Sequence, residues 1–239
     1  EAFRAIGDGY ICAAIAGGVE APLAPLTYGA FTVARAMSTR NDDPSAASRP
    51  FDRDRDGFVM AEGAGFVVLE RLDDALRRGA QPYMEITGFG VSNDAHHMAA
   101  PLADGSETAR AMQNALDDAR ISAGEVEGIN AHGSSTQAGD RAEIKALASV
   151  FGERLPDIPT SATKGQHGHA LGATGAWEIA VSALTFRHGC VPGNVNFTAS
   201  DDDAYIGCAN EAKSTNSRIV LKNSSGFGGI NAALVMESC

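Results

Sequence analysis

The sequence predicts an α/β protein in which helices pack on sheets. Three observations carry that prediction. From Pro82 onward, short apolar runs of strand length alternate with longer segments of helical spacing. The chain closes on two apolar runs, residues 218–222 and 232–236, near enough in sequence to pair antiparallel. Hydrophobic residues make up 44% and charged residues 21% of the chain, the balance of a globular protein able to bury a sizeable core.

The opening EAFRAIGDG reads as the end of a helix and its glycine stop, so further chain is expected before Glu1. Residues 10–16 read as a buried strand that ends at Gly17 and Gly18. Residues 22–37 are mixed, with a helix toward their end. The charged, turn-rich stretch 38–57 reads as a surface loop. Residues 65–71 are strand-like, and 72–78 form a short helix that Gly79 stops. A strand is expected over 83–91. The helix over 106–119 sets Ala109, Met112, Leu116 and Ala119 near helical spacing. Strand, helix, strand and apolar helix follow over 126–131, 140–150, 158–162 and 175–187. A new strand–helix series starts near Gln81, which divides the chain into 1–80 and 81–239.

The net charge of −11 argues against nucleic-acid binding, which needs a positive footprint. An acidic partner would need a local basic patch. Cys12, Cys190, Cys208 and Cys239 stand far apart without zinc or C-x-x-C spacing, and read as reduced thiols. No signal peptide is visible and no apolar run approaches ~18 residues, so no membrane span is expected. A cytoplasmic location follows as an expectation, or a plastid or mitochondrial matrix in a eukaryote.

Three segments look unlike ordinary loops. In 130–143, NAHGSSTQAGDRAE, a strand ends at a histidine and small hydroxyl residues precede a helix. His132 there reads as structural or catalytic, and Asp140 sits where a helix cap belongs. In 163–176, TKGQHGHALGATGA, Lys164, His167 and His169 crowd among glycines. A metal site is conceivable, but no matching ligand spacing supports one and a lysine disfavours a cation; no metal is expected. In 223–232, NSSGFGGINA, glycines flank Phe227 between two strands. It reads either as a tight turn with a packed ring or as a backbone donor site with a mobile aromatic.

Together these segments resemble the C-terminal motifs of beta-ketoacyl-acyl carrier protein synthases, a family of the thiolase superfamily. RPFDRDRDGFVMAEGAG (49–65) is similar to that family's central signature and SNDAHHMAAP (92–101) to another of its loops. The resemblance covers the whole chain in order. The elongating type II fatty-acid branch fits best, because modular polyketide synthases usually carry a second glycine where this chain has Ser135.

The resemblance implies a thiolase-like duplicated fold, two similar halves with stacked sheets and helix layers, of which this chain holds the end of the first and all of the second. It implies decarboxylative condensation of an acyl thioester with a malonyl thioester. His132 and His169 would donate to the enolate oxygen, and Lys164 would favour neutral imidazole. Ser134 and Thr136 match hydroxyls that hold the pantetheine arm. The backbone of Phe227 and Gly228 matches the second oxyanion hole, and Glu143 an acid that organises the lysine. Asp140 supports this loop. The nucleophilic cysteine is expected upstream, since none of the four cysteines matches its motif. No bound cofactor is implied, because 4'-phosphopantetheine arrives on the acyl carrier protein. That carrier is the expected partner, docking through Arg35 and Arg40, and a homodimer is the expected assembly. Family members often have Phe at position 225 and Thr at 99 where this chain has Ser225 and Ala99, which bears on chain-length preference. Alternatives are a non-catalytic or decarboxylase-only subunit and a polyketide ketosynthase.

Overall fold

The computed structural model describes residues 1–201 and 206–239. Helix α1 (Ala2–Gly7) leads to β1 (Ala13–Glu20), α2 (Pro25–Val33), β2 (Gly63–Glu70) and α3 (Leu72–Arg77). Strands β1 and β2 pair antiparallel over their full length, Ala13 opposite Glu70 and Glu20 opposite Gly63. Gly17 and Gly18 do not end β1 as the sequence suggested; the strand runs through both. A Cβ on Gly17 would lie 2.2 Å from the Gly65 carbonyl oxygen, and one on Gly18 2.1 Å from that of Gly172. These glycines mark close backbone approach, not a turn. Nor is β1 the buried strand expected from its apolar run, because alternate residues are exposed. Ile15 faces Val68 across the pair, and Gly17 faces Phe66. Ile15, Val19, Phe66 and Val68 thus present one apolar face, each more than 60% exposed.

The rest of the chain adds β3 (Glu85–Asn93), α4 (Ser106–Ala119), β4 (Gly128–Asn130), α5 (Gln137–Phe151), β5 (Thr160–Ser161) and α6 (Lys164–His167). It finishes with α7 (Thr174–His188), β6 (Cys190–Val191), β7 (Lys213–Ser214), β8 (Ile219–Gly226) and β9 (Ile230–Glu237). One mixed five-stranded sheet runs β3–β9–β8–β4–β5. Strand β9 pairs antiparallel with β3 and β8, while β4 runs parallel to β8 and β5. The core gathers Met112 and Leu116 from α4, Ile129 from β4, Leu147 from α5, Leu221 from β8 and Val235 from β9. Burying side chains of this size contributes roughly 1.5–3 kcal/mol each. The strand ends β4 and β8 and the start of α5 meet on this core, and they carry the segments singled out above.

The surface-loop reading of 38–57 holds for the exposed residues 41–45 but fails for the later part, 47–57. Phe51 and Asp52 are fully buried and Arg55 nearly so. The charges satisfy one another and nearby backbone, which is what allows them inside. Asp52 accepts from the Thr198 amide at 2.6 Å and hydroxyl at 2.7 Å. Arg55 pairs with Asp201 at 2.9 Å and approaches Asp140 at 3.6 Å. The loop also fastens the site: the Ser48 hydroxyl donates to the Lys164 carbonyl at 2.7 Å, and the Arg49 amide to the Ser135 hydroxyl at 2.9 Å.

Candidate active site

His132 lies just beyond β4, on the turn into α5. Gly133 has φ +45°, and a Cβ there would lie 2.4 Å from that of Ala162, so the turn needs glycine. Glu143, from α5, closes the turn by accepting the His132 amide at 2.7 Å and the Gly133 amide at 2.8 Å. It also accepts from the Asn223 side chain at 2.7 Å. The cap of α5 is Thr136, whose hydroxyl accepts the Gly139 amide at 3.1 Å. Asp140 therefore is not the cap expected from the sequence. It sits one turn inside the helix, fully buried, and accepts the amides of Phe51 at 2.7 Å and Ser135 at 3.0 Å. Burial pushes Asp140 up to about 6 against these donors and Arg55. Burial, with the Asp140 charge, pushes Glu143 up to about 7.

His169 meets His132 edge to face, with ring centroids 5.4 Å apart. Its Nδ1 lies 3.2 Å from the Leu171 amide and 3.1 Å from the Thr174 hydroxyl. A backbone N–H can only donate, so Nδ1 accepts and the neutral ring carries its proton on Nε2. Both histidines are held well below the ordinary imidazole value, first by burial and next by the Lys164 charge. Both rings are therefore neutral at pH 7. His167 points elsewhere. Its Nε2 meets the Thr163 hydroxyl at 2.8 Å, its Nδ1–H donates to the Gly168 carbonyl at 2.8 Å, and its ring packs edge-on to Trp177.

Lys164 is fully buried beneath the pair. Its ammonium donates to the His132 carbonyl and pairs with Glu178 on α7. The other Glu178 oxygen pairs with Lys222 on β8 at 2.6 Å. The lysine is thus organised by Glu178, not by Glu143 as the motif suggested; Glu143 is spent on backbone amides and Asn223. Burial works to raise Glu178, but the two lysines outweigh it and hold the carboxyl below its usual range. Glu178 and Lys222 escaped the sequence reading. A signal existed: each is a lone charge in an otherwise apolar segment, WEIAVSAL and IVLKN, where a charge must be paired.

Ser134 and Thr136 join the same turn, their hydroxyls 2.8 Å apart. Phe227 is 53% exposed on the β8–β9 turn. Its ring stacks on Phe31 of α2 at 5.8 Å; Phe31 meets Phe58 edge-on at 5.5 Å, and Phe58 meets His169 at 5.4 Å. A line of rings joins the turn to the histidines. The turn is tied to the 92–101 loop where the Gly228 amide donates to the Met98 carbonyl at 2.8 Å and the Asp94 amide to that of Gly229 at 2.8 Å. Arg35 is exposed just past α2, and Arg40 donates to the Asp54 carbonyl at 3.1 Å. Among the described residues, no hydrogen bond or ring contact joins either arginine, or any of the four cysteines, to the histidine pair. No His, Cys, Asp and Glu group among the described residues is placed to hold a metal ion, and no described helix is long and apolar enough to cross a membrane.

Two neutral imidazoles above a buried ammonium can stabilise negative charge developing on an oxygen, and cost no reorganisation when it develops. A family model described as beta-ketoacyl synthase, C-terminal domain, matches residues 83–198, and one described as beta-ketoacyl synthase, N-terminal domain, matches residues 1–75. The chain is 44% identical over 238 residues to 3-oxoacyl-[acyl-carrier-protein] synthase 2 of Staphylococcus aureus (strain COL), covering 99% of this chain and 57% of that protein. It is 42% identical, with the same coverage, to the synthase 2 of a Synechocystis species. The chain therefore spans little more than half the length of these relatives. Among solved structures, a beta-ketoacyl synthase from Burkholderia phymatum STM815 matches with TM-score 0.94 and 40% identity, over 100% of this chain and 57% of that one. A chain in the structure of a type II PKS acyl-carrier protein in complex with its hexaketide-bound ketosynthase matches with TM-score 0.97 and 39% identity, over 100% of this chain and 59% of that one. The layered α/β fold expected from the motifs is the fold of these ketosynthases.

Proposed function

This chain belongs to the beta-ketoacyl synthase family, and we propose that it supplies the histidine side of the active site of a 3-oxoacyl-acyl carrier protein synthase. The observation that carries the proposal is the meeting of two half-buried, neutral histidines above the Lys164–Glu178 pair. In the proposed reaction, an acyl group rests on a cysteine thiol from residues outside this chain. The malonyl thioester loses carbon dioxide, and the electrons of the broken bond form an enolate. His132 and His169 donate to the enolate oxygen. The enolate carbon then attacks the acyl thioester carbonyl, and the cysteine thiolate leaves. The Phe227 amide donates to the oxyanion of that second step, with Gly228 leaving the turn open to substrate. Ser134 and Thr136 receive the pantetheine arm. The division of the chain at 80/81 is part of the same proposal.

The test uses the complete enzyme with malonyl and acyl carrier proteins, following carbon dioxide release and the 3-oxoacyl product by mass spectrometry. Release without product would support the decarboxylase-only alternative; neither would end the proposal. A second reading, a polyketide ketosynthase, is favoured by Ser225, a small residue bonded to Asn231 at 2.9 Å beside the Phe227 turn. Repeated extension of the chain without intervening reduction would select it.

Carrier docking is proposed at Arg35, with Arg40 beside it. Charge reversal, Arg35→Glu, is expected to raise KM for the carrier substrate and spare kcat; an unchanged KM removes Arg35 from the interface. The electrostatics of the pair yield another expectation. The ¹⁵N resonances of His132 and His169 should keep neutral-imidazole values as the pH falls to about 6, below the ordinary histidine value near 6.5. A protonation midpoint near 6.5 for either ring would contradict the neutral-donor role.

A further inference from the structure

The proposed condensation has no task for a second buried lysine, yet Lys222 is one. It interrupts an apolar strand in which Val220 and Leu221 are core. Its ammonium lies 2.6 Å from Glu178, 2.8 Å from the Asn223 carbonyl and 2.9 Å from the Ser224 hydroxyl. Both lysines are paired with Glu178, and each takes a different oxygen of it. An ammonium has three donors and no acceptor, so sharing decides where each proton goes. With one Glu178 oxygen committed to Lys222, Lys164 bonds the other and has a donor left for the His132 carbonyl. Without Lys222, both oxygens could close on Lys164 and draw its ammonium away from His132.

A second path runs the same way. Lys222 grips its own strand at Asn223 and Ser224. Asn223 donates to Glu143 at 2.7 Å, and Glu143 accepts the His132 amide at 2.7 Å. The main chain of His132 is therefore held on its carbonyl side through Glu178 and Lys164, and on its amide side through Asn223 and Glu143. Lys222 touches the first member of each path.

Resting on the condensing reading, we propose that Lys222 is a positioning residue for decarboxylation: by occupying one oxygen of Glu178 it keeps Lys164 on the His132 carbonyl, and so keeps the His132 ring in place against His169. The charged and titratable groups gathered around the pair are Lys164, His167, Glu178, Glu143, Asp140 and Lys222 itself, and Lys222 alone among them touches both paths.

The experiment is Lys222→Met in the complete enzyme, which keeps an unbranched stem and leaves Lys164 and Glu178 as a neutral pair. Misplacement of a catalytic group by about 1 Å can cost up to ~100-fold, so kcat for carbon dioxide release should fall about ten- to a hundredfold. The KM for malonyl carrier protein should stay within about twofold. Acylation of the nucleophile should keep the parent rate, because it does not use the histidine pair. Lys222→Gln retains a donor toward Glu178 without the charge, and should fall between parent and Lys222→Met; if Lys222→Met is insoluble, Lys222→Gln reads the same division between the two steps. A parent rate of decarboxylation in Lys222→Met overturns the proposal. So does an equal loss of acylation and decarboxylation, which is the mark of a structural role alone. A parent enzyme that released no carbon dioxide would sink the condensing reading, and the proposal with it; the parent control tells that failure from the others.

Discussion

Replacing Glu178 by alanine should destabilise the protein by roughly 3–5 kcal/mol, the usual cost of stranding a buried charge by removing its partner. The physical case is direct. Glu178 is fully buried and pairs with two lysines that are buried as well. Its loss leaves both ammonium groups in a low-dielectric interior, where they must lose their protons or draw in water. The fall in urea midpoint should be about 1–2 M, read by circular dichroism in the complete enzyme. Adding Lys222→Met to Glu178→Ala removes one stranded charge and should recover part of the loss. An unchanged midpoint in Glu178→Ala would mean that the lysines do not depend on this carboxylate.

The elements that could be read in the sequence are those whose local signals agree with their packing. Helix α4 matches its expected span, 106–119, because its apolar spacing faces the core it joins. The antiparallel closing pair also follows from its short connection. Local signals misled where tertiary contact reversed their meaning. The 49–57 stretch looks solvated by its charge, yet Asp52 and Arg55 are buried because Thr198, Asp140 and Asp201 answer them from far along the chain. Gly17 and Gly18 look like a stop, yet they let β2 and the Gly172 turn come close. Within the site, the structure brings together three residues that the motifs named, His132, His169 and Lys164. The motifs misassigned the lysine's carboxylate, because the choice between Glu143 and Glu178 is made by the packing of α7 behind the sheet, which no spacing along the chain records.

The central claim is that two neutral histidines stabilise one enolate oxygen. Losing a single oxyanion donor typically costs about 10²–10³ in rate. Each of His132→Ala and His169→Ala should therefore slow carbon dioxide release from malonyl carrier protein by about that factor. Acyl transfer to the cysteine does not use the histidine pair in this account and should survive. His167→Ala should be milder than either, since its two ring nitrogens are bonded to Thr163 and Gly168, away from the pair. The most direct measurement is radiolabelled carbon dioxide release by the complete enzyme, run beside mass spectrometry of the acylated protein. The account predicts full acylation and almost no release in both histidine variants. Release at the parent rate would contradict it; loss of acylation with release intact would also contradict it, and would place the histidines on the thiol instead.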